Sequence, residues 1–597
     1  MSVLQDILSS SDLKGLDQAK LNTLAEELRE QILTVVSKNG GHLSSNLGIV
    51  ETTIALHRAF DFSKDRIIFD VGHQCYAHKL LSDRKEQFHT IRKGGGLSGF
   101  PDSAESVYDA FVAGHAGTSI SAGLGFCDAR DKLNQDYYVV CVVGDGALFN
   151  GLNLEALSAF DKKPKRFIIV LNDNGMSISK NDNGLYKLLS KSTTRGSYVK
   201  SKRALRKVFG NTFITRFLFA IKEFVKKIVG KNNVFEDFGF KYVSGVDGND
   251  IKKLNKIIGR VKALSREKPV FLHVKTTKGK GYDKAEEQSE IYHGVGANLE
   301  SNAGNFSVAL GEKLNELIEK DKRVIAITAG MSDGTGLSAV KNQNRNNFVD
   351  VGIAESFGVT YSAGLASAGA KPFVAMYSTF LQRAYDQILH DVCIQNLPVV
   401  FCVDRAGLVG CDGKTHQGVF DLSYATHIPN LNVLAPSCCG ELKDMIDYAY
   451  ELGKPTIIRY PRDSVKERKF VSIKESLWEV LKTGSDATIF AVGPRMLELA
   501  LEYAKTHQNV GVVNARSVKP LCEKTLLDIK DTKIITLEEN SLIGGFGSLV
   551  RGFYAEKGVV AKVFNLGVKD EFVAHSSIDK QLQENGLTIE EIEKILN

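Results

Sequence analysis

Apolar residues recur at helical spacing over residues 19–37, whereas residues 137–143 and 167–171 are uninterrupted apolar runs ending in Gly, Asp and Asn. The first pattern predicts a helix with one buried stripe. The second predicts strands covered on both faces, as in a parallel sheet between helices. The alternation restarts near Asn305, with strand-like stretches at 323–328, 347–351 and 398–403 and a helical stretch at 357–368. It restarts again from about Leu481, with strands expected at 487–492, 510–514 and 533–537 and a helix at 495–506. The chain therefore reads as α/β, in three domains: residues 1–304 with an insertion at about 180–235, residues 305–474, and a smaller C-terminal domain, residues 475–597. A polar stretch at 294–305 and a charged one at 463–475 are the expected linkers. Ligands of such sheets gather at the carboxyl ends of the strands.

The alternation stops within 180–235. Phe213, Phe217, Ile221, Phe224 and Ile228 fall at helical spacing there, and residues 200–231 hold ten Lys or Arg against one Glu. That pattern predicts an amphipathic helix with a cationic face, so the formal charge of +6 is concentrated and the rest of the chain is slightly acidic. A solvated insertion or a cover over a site is favoured over a membrane or nucleic-acid contact, and neither of those two partners is expected. With 43% hydrophobic and 24% charged residues, the 597-residue chain has an ordinary globular composition. No apolar run approaches the roughly 20 residues that span a bilayer. Asp6, Asp12 and Asp17 interrupt the N-terminal stretch, which lacks the form of a secretory signal, so a cytoplasmic address is expected. Nine cysteines without any CxxC pair read as small core residues in a reducing compartment.

Candidate chemistry begins with Gly144-Asp145-Gly146 after one strand and Asn172-Asp173-Asn174 after the next. Two strand ends joined through one helix would set Asp145 and Asn174 side by side, offering a carboxylate and an amide oxygen to a hard cation. Magnesium takes its remaining ligands from phosphate and water, so the pair implies a diphosphate more than a free metal. A helix opening near Leu152 could add its positive end. Either half alone would be read as a turn.

Together the halves resemble the thiamine diphosphate motif, and Ile353-Ala354-Glu355 stands where the glutamate of that enzyme class is required. From the residues alone, Glu355 is a carboxylate favoured at a helix start. Longer matches follow in Gly41 to Gly48, Asp70-Val71-Gly72-His73-Gln74, Gly114-His115-Ala116-Gly117-Thr118, Tyr377-Ser378-Thr379-Phe380-Leu381-Gln382-Arg383, Asp404-Arg405-Ala406-Gly407 through Gly418, and Arg459-Tyr460-Pro461-Arg462. These stretches resemble the 1-deoxy-D-xylulose-5-phosphate synthases, a thiamine-diphosphate family of transketolase type. The likeness covers nearly all of the chain outside 180–235, with a further departure at 97–104.

The resemblance implies two thiamine-diphosphate-binding parallel-sheet domains plus a C-terminal domain, and a reaction between pyruvate and D-glyceraldehyde 3-phosphate that releases carbon dioxide. It implies thiamine diphosphate and Mg2+ as cofactors and a homodimer as the assembly. Carried over by residue, it gives Asp145, Asn174 and the carbonyl of Met176 to the metal. It gives His73, Gly114, His115, Ala116, Gly146, Ala147, Asn174, Met176, Tyr282, Ile353, Glu355 and Phe380 to the cofactor. Glu355, His42, His73, His293 and His416 are the implied catalytic residues, and the residue that protonates each oxygen stays open among the histidines. Ser45, Tyr377, Arg383, Arg405, Asp412, His416 and Arg462 are the implied substrate residues, with the arginine forks suited to a phosphate. A transketolase using a ketose phosphate donor is the enzymatic rival, and a polyanion-binding protein without catalysis is the rival of another class.

Overall fold

The computed structural model describes residues 2–7, 10–159, 164–175, 234–299 and 305–597; the expected cationic helix and Met176 lie outside the described residues. The chain divides into two compact units: Met1–Ile91 with Gly99–Ser301, and Arg92–Ser98 with Asn302–Asn597.

Unit 1 is built on a five-stranded sheet of β1 (Arg66–Phe69), β2 (Val139–Gly144), β3 (Phe167–Asp173), β4 (Lys241–Asp247) and β5 (Val270–Lys275), in the order β1-β2-β3-β5-β4. Every pairing is parallel. The apolar runs expected as strands are β2 and β3, whose Val, Ile, Cys and Leu side chains are fully buried. Burying each such side chain contributes about 1.5–3 kcal/mol, which drives both faces to be covered. The predicted N-terminal helix spans Gln18–Asn39, capped where Asp17 accepts from the Lys20 amide, with Leu21, Leu24, Leu28 and Ile32 on its buried stripe. The helix Ile251–Ser265 starts the same way on Asp250.

Unit 2 contains two sheets. The larger takes β6 (Val324–Thr328), β7 (Phe348–Asp350), β8 (Lys371–Tyr377), β9 (Val400–Asp404), β10 (Asn432–Leu434), β11 (Thr456–Arg459) and β15 (Ser517–Lys519), in the order β15-β10-β11-β9-β8-β6-β7. The smaller takes β12 (Glu479–Lys482), β13 (Ala487–Val492), β14 (Val510–Asn514), β16 (Lys533–Ser541) and β17 (Lys562–Val568), in the order β12-β14-β13-β16-β17. Two edge pairings, β10 with β15 and β12 with β14, are antiparallel. Both edge strands are short and partly polar, so the apolar pattern did not reveal them. Strand β15 carries the C-terminal stretch into the larger sheet, and one apolar core runs from Ile327 and Val374 through Trp478 to Val513 and Ile534. Trp478 is buried and donates its indole N–H to the Ser517 carbonyl at 2.7 Å. The fully buried Arg516 donates to Glu441 at 2.7 Å and to the carbonyls of Ser476 and Leu477.

Among the described residues no helix is long and apolar enough to cross a membrane. Seven of the nine cysteines are buried, and Cys411 and Cys522 are partly exposed.

Candidate active site

Strands β2 and β3 are neighbours in parallel register, with Gly144 opposite Asn172, so the turns that follow them lie side by side. Asp145 opens the short helix Asp145–Leu148 and is 2% exposed. Asn174 is half-buried at the end of β3, ahead of Gly175, whose φ of 77° makes the turn. Lys278 is buried beside Asp145, and burial pulls its amine down to about 8 against the opposing pull of the carboxylate. Gly146 is half-buried, and Ala147 lies buried in the same short helix.

The loop at 114–118 is held from beneath by Asp70 at the end of β1. Its carboxylate accepts from the Gly117 amide at 2.7 Å, the Ser119 amide at 3.1 Å and the Ser119 hydroxyl at 2.8 Å. Gly117 has φ 83°, and a Cβ there would stand 2.1 Å from Asn150 Oδ1. Only glycine lets the loop pass Asn150, which in turn caps the helix Gly151–Ser158. Gly114 and Ala116 are buried in this loop, and His115 is half-buried.

His42, His73 and His293 come together although far apart in sequence. Their ring centroids lie 5.5 Å apart for His42 with His73, 5.5 Å for His42 with His293 and 5.3 Å for His73 with His293. Asn46 fixes the first two by donating to both carbonyls at 2.7 Å, and the Ser45 hydroxyl lies 3.3 Å from His293 Nδ1. Burial, aided by Lys278, lowers His73 to about 3 and pushes His293 well below its ordinary value. Both rings are therefore neutral at physiological pH. Tyr282 is half-buried, with its ring edge-on to Tyr292 at 5.7 Å.

In unit 2, Glu355 begins the helix Glu355–Ser367, 4% exposed. Burial raises its carboxyl group, with Arg383 pulling the other way. The helix-start reading is thus right for the backbone, yet desolvation outweighs the favourable end of the helix. Ile353, half-buried, precedes it by two residues. At the end of β8, Tyr377 stacks on Phe380 with centroids 5.7 Å apart, and Phe380 meets the His416 ring edge-on at 5.5 Å. The Arg405 guanidinium lies over the Tyr377 ring at 3.5 Å, and its backbone has φ 58°. Arg405 Nη1 and Arg383 Nη1 are buried without a hydrogen-bond partner among the described residues. Burial and neighbouring Arg405 lower the Arg462 guanidinium, so the two cations are close. Burial takes His416 down to about 4, with Thr415 Oγ1 at 2.9 Å from its Nδ1.

Asp412 pairs with Arg92, which also donates to Cys411 Sγ at 3.4 Å. Arg92 and Lys278 did not stand out in sequence. Lys278 sits in the same Lys-Gly-Lys-Gly-Tyr stretch that marked Tyr282, which was its available signal. Arg92 lay in a glycine-rich turn with no partner in view, and only the fold brings that turn into unit 2.

The 1-deoxy-D-xylulose-5-phosphate synthase family model matches residues 4–276. The pyrimidine-binding and C-terminal domains of transketolase match residues 304–467 and 476–592. The 1-deoxy-D-xylulose-5-phosphate synthase of Clostridium tetani is 45% identical, over 98% of this chain and 97% of that protein. The one from Thermus thermophilus is also 45% identical, over 100% of this chain and 98% of that protein. A solved transketolase from Campylobacter jejuni is 18% identical and covers 97% of this chain and 99% of that one at a TM-score of 0.43. Identity at this level along the entire length means that the chain belongs to the 1-deoxy-D-xylulose-5-phosphate synthase family, thiamine-diphosphate-dependent transferases of transketolase-type α/β fold.

Proposed function

We propose that the protein condenses pyruvate with D-glyceraldehyde 3-phosphate, releasing carbon dioxide and forming 1-deoxy-D-xylulose 5-phosphate. This is the first step of non-mevalonate isoprenoid synthesis and also feeds thiamine and pyridoxal synthesis. The observation that carries the reading is the 45% identity with a synthase of that name over 98% of the chain.

The residues fit the cofactor. Thr118 Oγ1, Gln74 Nε2 and His73 Nδ1 are buried polar atoms without a partner among the described residues, all within the motifs that would line it. Asp145 and Asn174 supply the carboxylate and amide oxygens that Mg2+ prefers, with the Met176 carbonyl as the third protein ligand. Gly114, His115, Ala116, Gly146, Ala147 and Tyr282 would surround the diphosphate end in unit 1. Thiamine diphosphate, when bound, supplies the carbon nucleophile that takes up the pyruvate carbonyl.

Burial raises the Glu355 carboxyl, which suits it to donate a proton to the pyrimidine ring nitrogen of a bound cofactor, on which Phe380 would stack and against which Ile353 would wedge. The neutral rings of His73 and His293, with His42 and Ser45, hydrogen-bond the substrate oxygens and pass protons there. Arg405, Arg462 and Tyr377 bind the acceptor phosphate, with Arg383 beside them. Asp412, oriented by Arg92, and the neutral His416 face the acceptor hydroxyls. A cytoplasmic homodimer is proposed as the working form; Phe357 and Ile394, 57% and 65% exposed, fit a face that a second copy covers.

The test is carbon dioxide release from labelled pyruvate with thiamine diphosphate and Mg2+, with and without glyceraldehyde 3-phosphate. Wild type should release it in step with formation of a five-carbon ketose phosphate, and Glu355→Ala should lose about 100-fold or more, the scale of a proton-transfer group. Inert pyruvate together with carbon transfer from a ketose phosphate would replace this reading with a transketolase.

A further inference from the structure

Beneath the turn that carries Asn174 runs a buried chain of side chains that the proposed reaction does not use. Tyr242 on β4 has its hydroxyl 2.7 Å from His273 Nδ1, and His273 Nε2 lies 2.7 Å from Asp173 Oδ2. The other Asp173 oxygen accepts from the Gly175 amide at 3.0 Å. His273 is 1% exposed and Asp173 5% exposed. The chain crosses three strands, because β5 lies between β3 and β4.

We infer that His273 is a positioning residue for the metal-binding turn, fixing Asn174 through the Asp173 carboxylate. The inference rests on the proposed role of Asn174 as a magnesium ligand. A carboxylate oxygen accepts, so Nε2 of His273 carries the ring proton toward Asp173. With that tautomer Nδ1 is an acceptor, and the Tyr242 hydroxyl donates to it. Tyr242 thus sets both tautomer and ring orientation. With Oδ2 held by the imidazole, the carboxylate can rotate no further, and Oδ1 stays under the Gly175 amide. That bond closes the turn whose middle residue is Asn174. A second tie works from the same strand: the Thr276 amide donates to the Asp173 carbonyl at 3.0 Å, and the Thr276 hydroxyl to Asn172 Oδ1 at 2.6 Å. The turn is therefore held on its backbone and on its side chains by residues 273–276, and His273 orients the Asp173 carboxylate through its ring.

Partners that orient a metal ligand are worth about 10- to 100-fold in metal affinity. The experiment uses the full chain and three variants, His273→Leu, His273→Gln and Tyr242→Phe. Calorimetry measures Mg2+ affinity at saturating thiamine diphosphate, and thermal unfolding in chelator measures the metal-free fold. His273→Leu should weaken Mg2+ binding by about 10- to 100-fold. His273→Gln, whose amide N–H can reach Asp173, should recover most of it, and Tyr242→Phe should shift it in the same direction by less. A purely structural role would lower the unfolding temperature in chelator and leave Mg2+ affinity unmoved, and that result overturns the inference. If His273→Leu does not fold, an unchanged Mg2+ affinity in Tyr242→Phe overturns it instead. Failure of wild type to take up thiamine diphosphate in a Mg2+-dependent way would instead remove the metal reading on which the inference stands.

Discussion

Gly334 offers the sharpest test of the proposed phosphate pocket. It lies outside the left-handed region, so alanine suits the backbone, yet a Cβ there would stand 1.7 Å from Tyr377 Oη, 2.9 Å from its Cζ and 3.1 Å from Arg405 Nη1. Unbonded heavy atoms settle near 3.5 Å, so the phenol must retreat by about 1.5 Å or more. Tyr377 cannot move alone, because the Arg405 guanidinium rests on its ring at 3.5 Å. Gly334→Ala therefore displaces two of the proposed phosphate contacts while leaving Glu355 and all of unit 1 untouched. A misplacement of about 1 Å costs on the order of 100-fold, or about 2.7 kcal/mol. The assay is steady-state turnover with glyceraldehyde 3-phosphate and, separately, with unphosphorylated glyceraldehyde. The acceptor KM should rise about 100-fold for the phosphorylated aldehyde and little for the other. A KM within threefold of wild type, or an equal loss with both acceptors, would refute the placement of the phosphate at Arg405 and Tyr377.

Two further outcomes follow from buried groups. His73 is held at about 3 and His416 at about 4, against 6.5 when free, so the unfolded chain takes up protons that the fold refuses. Their contribution is complete above about 6.5 and is lost as pH falls toward those two values; the unfolding temperature should drop across this window, and less steeply in His73→Asn and His416→Asn. Arg516→Met should destabilise unit 2 by about 3–5 kcal/mol in denaturant titration, because Glu441, 0% exposed, loses its buried cationic partner. Adding Glu441→Leu should return much of that loss, and a single variant within about 1 kcal/mol of wild type would count against the pair.

The parts of the fold that the sequence revealed are those governed by burial on two faces. Strand β2 and the first five residues of β3 are continuous apolar runs, and β13 is apolar but for Thr488. Strand β16 was read only to Leu537, yet it continues through Glu538, Glu539 and Asn540 to Ser541, all buried. Their polarity hid the continuation because their partners are distant: Glu538 accepts from the Phe546 and Gly547 amides at 2.7 and 2.8 Å, and Glu539 pairs with Arg495. Compensation of this kind cannot be seen one residue at a time. The same limit applied to the site. Asp145, Asn174 and Glu355 stood in recognisable strings, whereas Arg92 acquires its meaning only beside Asp412, and Asp70 only beneath the Gly117 amide.

The electrostatics of each unit, taken by itself, suit the proposed reaction. Pyruvate arrives with a carboxylate that must leave without its charge, and the acceptor arrives with a phosphate whose charge must stay. Burial disfavours charge on the groups proposed to handle protons: it raises the Glu355 carboxyl, lowers His73 and His416, and pushes His293 well down. A neutral, dry surrounding stabilises a carboxylate less than water does, so it favours the loss of that charge as carbon dioxide. Arg405 and Arg462 keep their charge because a guanidinium stays protonated even when desolvated, and among the described residues the buried Arg405 Nη1 meets no acceptor. Replacing Arg405 by Lys would keep one positive charge but lose both the flat stack on Tyr377 and the fork. The division of labour between neutral histidines and fixed arginines thus follows from the intrinsic pKa of each side chain and its burial, before any substrate is placed.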